Sequence, residues 1–191
     1  MLCLMHHVPH VPMACPPEDE ALYDGVPKGR FQENQKYAAM MSHLDQSMKT
    51  VLDKLDELEI SENTVVIFTS DNGGLKNLTS NQPFRGGKGD LYEGGIRVPL
   101  IVRWPGRIES GAVCNSPMIS TDYFPTFLEL AGLKLMPEAH VDGRSMLPLL
   151  EGKKGDPRTL VWHFPHRNEP CSAVMEGDWK LVYLIVSGTY Q

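Results

Sequence analysis

The chain has 191 residues, with 18 Lys and Arg against 24 Asp and Glu, and so a formal charge of −6 with histidine neutral. Its hydrophobic content of 41%, with 17 glycines and 15 prolines, is ordinary for a folded chain, and it excludes whole-chain disorder, which needs roughly 25–30% Gly plus Pro or a high charge imbalance. No stretch approaches the roughly 18 consecutive apolar residues of a membrane span, and the acidic balance lacks the clustered Lys and Arg of a nucleic-acid binder.

The opening Met1-Leu2-Cys3-Leu4-Met5 is a short apolar run that reads as a buried strand. It leads into His6-His7-Val8-Pro9-His10-Val11-Pro12, where the prolines forbid regular structure and present His10 from a loop at the strand's end. Met1 to Pro17 has no basic start followed by an apolar stretch, so no signal peptide is read there. From Gln35 to Ile60, Tyr37, Met41, Leu44, Met48, Val51, Leu55 and Leu58 recur by fours and threes, one stripe of a long helix. Thr64 to Thr69 is an apolar, β-branched run of the kind that forms a strand covered on both faces. A polar, glycine-rich loop spans Ser70 to Gly95, a second buried strand runs from Val98 to Trp104, and Pro105-Gly106 ends it.

Ser120 or Thr121 is expected to cap a helix that runs through Phe124, Phe127 and Leu130 to Gly132. Ala173 to Met175 and Trp179 to Val182 read as a hairpin turning at Glu176-Gly177-Asp178, and the β-type run continues to Val186. The order of elements gives an α/β chain with a small antiparallel segment. Residues 1–158 form the α/β part and 159–191 the start of the antiparallel part. Both ends read as the edges of a longer piece. The four cysteines, at 3, 15, 114 and 171, have no metal-knuckle or redox spacing and read as free thiols. Asn77-Leu78-Thr79 is a lone sequon that carries little.

Three features bear chemistry. Ser70-Asp71-Asn72-Gly73-Gly74 leaves a strand with a carboxylate and an amide oxygen, hard donors suited to Ca²⁺ or Mg²⁺, although the same residues make a good turn. Arg85 to Gly95 sets Lys88 between glycines, where an ammonium and nearby N–H groups can meet an oxyanion; the competing reading is a solvated loop. The third is histidine: His10, and the later Trp162-His163-Phe164-Pro165-His166, which can line the same mouth. A histidine in a proline-rich loop is equally well structural.

In this order, the His-x-Pro loop, the long helix, Thr-Ser-Asp-Asn-Gly-Gly, Gly-Lys-Gly-x-x-Tyr-Glu-Gly-Gly-x-Arg-x-Pro and the Trp-Pro-Gly turn resemble the type I sulfatases of the alkaline phosphatase-like superfamily. The likeness runs from about residue 2 to about residue 185. It implies a partial sulfatase-like sandwich, a mostly parallel sheet flanked by helices, with the antiparallel segment packed against it. It also implies that Asp71 and Asn72 ligate a divalent cation, usually calcium with magnesium as the other choice. Lys88 would contact the sulfate and the leaving oxygen, and His10 the sulfate or the departing alcohol. His163 and His166 would lie toward substrate recognition.

The family's nucleophile, a formylglycine made from the first residue of Cys/Ser-x-Pro-x-Arg, has no counterpart. Cys15-Pro16-Pro17-Glu18-Asp19 places Asp19 where arginine is required and lies after His10. The early Asp-Asp pair and the first Lys and His of the sulfate pocket are missing too. The resemblance therefore implies a sulfatase's C-terminal portion, inactive alone. The alternatives are a phosphate mono- or diester hydrolase of the same superfamily and a non-catalytic binding remnant. Relatives are commonly exported, periplasmic or lysosomal, and partners beyond a sulfate ester are not implied. Strands left without neighbours should expose apolar surface.

Overall fold

The computed structural model describes residues 1–166 and 170–184. Positions 185 and 186 of the expected β run, and Tyr190-Gln191, lie outside them. In chain order the elements are α1 (Pro17–Ala21), α2 (Gln35–Glu57), β1 (Val66–Thr69), α3 (Glu93–Ile96), β2 (Leu100–Arg103), α4 (Tyr123–Leu130), α5 (Leu147–Leu150), β3 (Thr159–Phe164), β4 (Cys171–Glu176) and β5 (Trp179–Leu184). β1 and β2 form a two-stranded sheet, and β3-β4-β5 a three-stranded one. No helix among the described residues is long and apolar enough to cross a membrane. The chain divides into two compact units. One comprises Met1–Ser61, Phe68–Ile101 and the chain from Thr159, the other Glu62–Ile67 and Val102–Arg158.

In the first unit, α2 forms as the four-and-three stripe predicts, but at Met41 the stripe is off: Met41 is exposed, and Ala39 and Met40 are the buried residues. Asn34 caps it: its Oδ1 accepts the Tyr37 N–H at 3.0 Å. The helix stops at Glu57 rather than Ile60, because Glu59 takes a left-handed φ of 56°. The Ile60 N–H then reaches the Leu55 carbonyl and the Glu59 N–H the Asp56 carbonyl, each at 3.0 Å. This is a Schellman ending with glutamate in the position glycine usually takes, and it leaves Leu58 and Ile60 exposed. Met1 to Met5 does not form the expected strand; Met1, Leu2 and Met5 are almost fully exposed. An apolar run becomes a strand only when another strand satisfies its backbone, and neither sheet among the described residues includes it. His10 therefore follows irregular chain, not a strand end.

The C-terminal sheet has three strands, not the two of a hairpin. In the antiparallel register Val161 faces Val174, which faces Leu181, while Trp162, Ala173 and Val182 form the adjacent row. The period of two separates the faces. Leu160, Cys171 and Ala173 are buried; Cys171 and Ala173 pack with Leu91, and around them lie Ile96, Trp162, Phe164 and Val182. Val161, Trp179, Leu181 and Tyr183 lie on the opposite face and are exposed. Gly177, with φ 57°, supplies the tight turn between β4 and β5. All four cysteines are free, and Cys171 is buried.

In the second unit, α4 ends as its sequence suggests, at Gly132 with φ 66°, and the Leu133 N–H reaches the Leu128 carbonyl at 2.9 Å. Its start differs. Neither Ser120 nor Thr121 is the cap; Asp122, 1% exposed, folds back to accept the Ile119 N–H at 2.9 Å. The same carboxylate accepts the Arg144 N–H at 2.9 Å and Arg158 Nη1 at 3.0 and 2.9 Å. Thr126, fully buried, donates to the Asp122 carbonyl at 2.6 Å and accepts the Met146 N–H at 2.8 Å. One aspartate thus fastens the start of α4 to the segments at 144 and 158.

Candidate active site

The loop leaving β1 owes its shape to glycine. Gly73 donates its N–H to the Gly95 carbonyl at 2.9 Å, and a Cβ on Gly73 would overlap the Gly94 carbonyl oxygen. A Cβ on Gly95 would overlap the carbonyls of Asp90 and Gly87, and one on Gly87 would stand 2.6 Å from the Gly74 oxygen. Backbone here packs on backbone, leaving no room for a methyl group. Polar side chains complete the frame. Asn81 accepts the Gly74 N–H at 2.8 Å and donates to the Gly74 carbonyl at 2.9 Å, which also receives the Lys88 N–H at 2.9 Å. Asp90 accepts the Gly87 N–H at 2.8 Å and pairs with Lys76 at 3.0 Å.

This frame draws two of the sequence-derived features together. Asp71 and Asn72 stand at one end of Gly73-Gly74, and Lys88 is tied by its backbone to Gly74. The Asn72 amide donates to Asp71 Oδ1 at 2.9 Å, and the Ser70 hydroxyl donates to the Asn72 carbonyl at 3.0 Å. Asp71 is exposed and Asn72 half-buried. The amide's donation turns the Asn72 side-chain oxygen and the second Asp71 oxygen into the available acceptors. In kind these suit a hard cation. In number they are two of the roughly six to eight oxygens that calcium takes, and no cluster of three or more His, Cys, Asp or Glu side chains able to hold a metal exists among the described residues.

The hydrogen bonds and ring contacts seen for the three histidines among the described residues go to residues outside this frame. The His10 N–H meets the His7 carbonyl at 2.8 Å, its Nδ1 meets the Val11 carbonyl at 2.7 Å, and its ring lies 5.6 Å from that of His7. Among the described residues, its contacts stay inside its own loop. A carbonyl can only accept, so Nδ1 carries the proton and Nε2 donates only in the imidazolium form. His163 is not in a loop at a mouth: it is a residue of β3, on the exposed face, with Nδ1 2.8 Å from the Ser172 hydroxyl. The alternation Leu160, Trp162, Phe164 against Val161, His163 was the signal for that strand. His166 lies edge-on to Phe164, 5.4 Å between centroids. The frame residues Asn81 and Asp90 escaped the sequence reading, since neither belongs to a motif and each acts on backbone three to seven residues away.

A family model described as sulfatase matches residues 1–133, and one described as N-sulphoglucosamine sulphohydrolase, C-terminal, matches residues 87–189. The chain belongs to the sulfatase family. It is 41% identical over 156 residues to a sulfatase of Formosa agariphila, which covers 72% of this chain and 28% of that protein. It is 40% identical over 126 residues to the human steryl-sulfatase, covering 61% of this chain and 22% of the other. Among solved structures, Ps i-CgsB in complex with k-i-k-neocarrahexaose superimposes with a TM-score of 0.79 at 30% identity, over 94% of this chain and 40% of that one. PsFucS1 sulfatase from Pseudoalteromonas sp. superimposes with 0.62 at 30% identity, over 81% and 34%. The fold is therefore α/β of the sulfatase type, with its small antiparallel sheet, and the chain carries part of a catalytic domain. It spans about a fifth to a third of the length of the curated relatives it matches.

Proposed function

We propose that the protein to which this chain contributes hydrolyses sulfate esters, aryl or carbohydrate, and that this chain supplies the cation-binding loop and a sulfate-contacting lysine. The observation that carries the reading is the bond between the Lys88 N–H and the Gly74 carbonyl, 2.9 Å, which keeps the lysine beside the loop bearing Asp71 and Asn72. Those two oxygens hold part of a divalent cation's shell, calcium by preference; when bound, the cation neutralises charge on the sulfate oxygens. Lys88 provides a positive charge for the non-bridging and leaving oxygens, its backbone held at the Gly74 carbonyl. His10 takes the contact with the sulfate or the departing alcohol. None of the 191 residues opens a Cys/Ser-x-Pro-x-Arg motif, so the nucleophile comes from outside this chain.

The test is a chimera in which these residues replace the matching part of the Formosa agariphila sulfatase. The chimera is expected to release sulfate from an aryl sulfate in a calcium-dependent way, and the 191-residue chain alone to release none. Lys88→Ala should lower kcat/KM by about a hundredfold or more, the scale of losing one transition-state donor. An unchanged Lys88→Ala chimera, turnover by the chain alone, or preference for a phosphate ester would overturn the reading.

A further inference from the structure

We propose that Asn81 is a positioning residue for the sulfate-contacting lysine: its carboxamide fixes both torsions of Gly74 and so sets where the main chain presents Lys88; this rests on the sulfatase reading above. The carboxamide meets Gly74 on both sides. Its Oδ1 accepts the Gly74 N–H at 2.8 Å and its Nδ2 donates to the Gly74 carbonyl at 2.9 Å. A backbone N–H can only donate and a carbonyl only accept, so these partners decide which way the carboxamide faces. The N–H belongs to the peptide unit before Gly74 and the carbonyl to the unit after it. One side chain therefore holds both peptide planes, and with them φ and ψ of a residue that has no Cβ to restrict either.

That carbonyl is where the Lys88 main chain is anchored. It takes the Lys88 N–H at 2.9 Å beside the Asn81 amide, so both of its lone pairs are engaged. With the Asn81 donor removed, nothing in Gly74 itself resists rotation of the carbonyl away from Lys88. The carboxamide also lies against the chain one residue before the lysine, since a Cβ on Gly87 would stand 2.7 Å from Asn81 Nδ2.

Asn81 arrives at Gly74 on a supported segment. Gln32 Nε2 donates to the Ser80 carbonyl at 2.7 Å, and Gln32 Oε1 accepts the Thr79 hydroxyl at 2.7 Å. Asn34, the cap of α2, donates to the Leu78 carbonyl at 3.2 Å. The three residues before Asn81 are thus tied to the chain at the start of α2, which gives the clamp a fixed base. Asn81 acts on the ester through Lys88, so its effect depends on the lysine side chain being present.

The experiment is a double-mutant cycle in the chimera described above, read as aryl sulfate turnover with calcium. Asn81→Ala removes the clamp; Asn81→Asp keeps its size and acceptor but has no N–H to give. Each should lower kcat by about tenfold or more and move KM by less than about twofold, because a displaced lysine misses the charge that develops in the transition state. In the Lys88→Ala background, Asn81→Ala should have no further effect. Gln82→Ala, at the exposed neighbour, should leave kcat unchanged. Equal losses in both backgrounds, a loss confined to KM, or an Asn81→Asp chimera as fast as its parent would overturn the proposal. A second measurement needs no turnover. In the 191-residue chain, Asn81→Ala should quicken hydrogen exchange at the Gly74 and Lys88 N–H groups by at least about tenfold and leave the amides of α2 unchanged. Exchange at wild-type rates, or quickening spread over the whole chain, overturns the proposal whatever the kinetics. A parent chimera inactive on sulfate esters removes the sulfatase reading, and exchange at these two amides then decides separately whether Asn81 holds the main chain at Lys88.

Discussion

Replacing Asp122 with alanine removes, in one step, the acceptor of two backbone N–H groups and the partner of a buried guanidinium. The Asp122 side chain is 1% exposed and that of Arg158 11%, so water screens neither. Removing one member of a buried ion pair costs about 3–5 kcal/mol. The Ile119 and Arg144 N–H groups, each bonded at 2.9 Å, would add about 1–3 kcal/mol apiece if they stayed dry. Water entering the vacated space recovers part of this, which puts the expected loss at about 4–6 kcal/mol, a large share of the roughly 5–15 kcal/mol of a domain. Asp122→Asn keeps one acceptor but turns an amide NH₂ toward donors, for about 2–3 kcal/mol. Arg158→Met leaves the carboxylate its two N–H bonds and should cost less than Asp122→Ala. Once either partner is gone, removing the other relieves a stranded charge, so the double variant should fall short of the sum of the singles by about 2 kcal/mol. Urea denaturation of the full chain gives these differences, and hydrogen exchange at Ile119, Arg144 and Met146 localises them. Additive behaviour, or an Asp122→Ala loss below about 1 kcal/mol, would refute the reasoning.

Gly73→Ala forces a methyl group onto the Gly94 carbonyl and should destabilise the 70–95 loop by about 3 kcal/mol, with calcium-dependent turnover lost in the chimera; a chimera indifferent to the change would contradict the backbone-packed frame. Glu151 is held below the usual carboxylate range, first by its hydrogen bond from Lys153 and then by that lysine's charge, and Lys153 is raised in return by the same bond. The lowered acid contributes above its ordinary value and loses its contribution as pH falls through the folded value, while the raised lysine loses its contribution as pH climbs through its own. Lys153→Met should return the Glu151 carboxyl to its ordinary value in an NMR titration with little change in stability, since the pair is solvent-exposed and screened; an unmoved titration would show that the pairing is absent in solution.

How much was legible in the sequence varied with the range of the interaction that decided each feature. The stripe from Tyr37 to Leu55 is local and fixed α2; its last turn depended on Glu59 accepting a left-handed backbone, which composition does not announce. Gly132 marked the end of α4 because glycine in that position has a local meaning. The cap at its other end was missed because Asp122 earns its place through Arg144 and Arg158, 22 and 36 residues away. The run at Met1–Met5 signalled apolar character but not a partner strand, and a strand exists only as a pair. The alternation across residues 159–164 is present in the sequence, but the same Trp-His-Phe-Pro-His residues also carry two imidazoles, and side-chain chemistry and strand periodicity overlap there. In the candidate site, Asp71, Asn72 and Lys88 were visible as motifs, whereas Asn81 and Asp90, which hold the frame, have no sequence signature beyond being polar residues in a loop.

The glycine frame around residues 73, 87, 94 and 95 leaves unequal freedom to its surroundings. Its floor is main chain against main chain and tolerates no added atom, so the backbone of Lys88, bonded to the Gly74 carbonyl, is held whatever side chains surround it. The side chains of Lys76, Gln82, Phe84 and Arg30 are open to solvent, and of these Lys76 reaches the floor through Asp90, which accepts the Gly87 N–H. Substitutions at Gln82, Phe84 and Arg30 are therefore expected to leave the main chain at 88 in place.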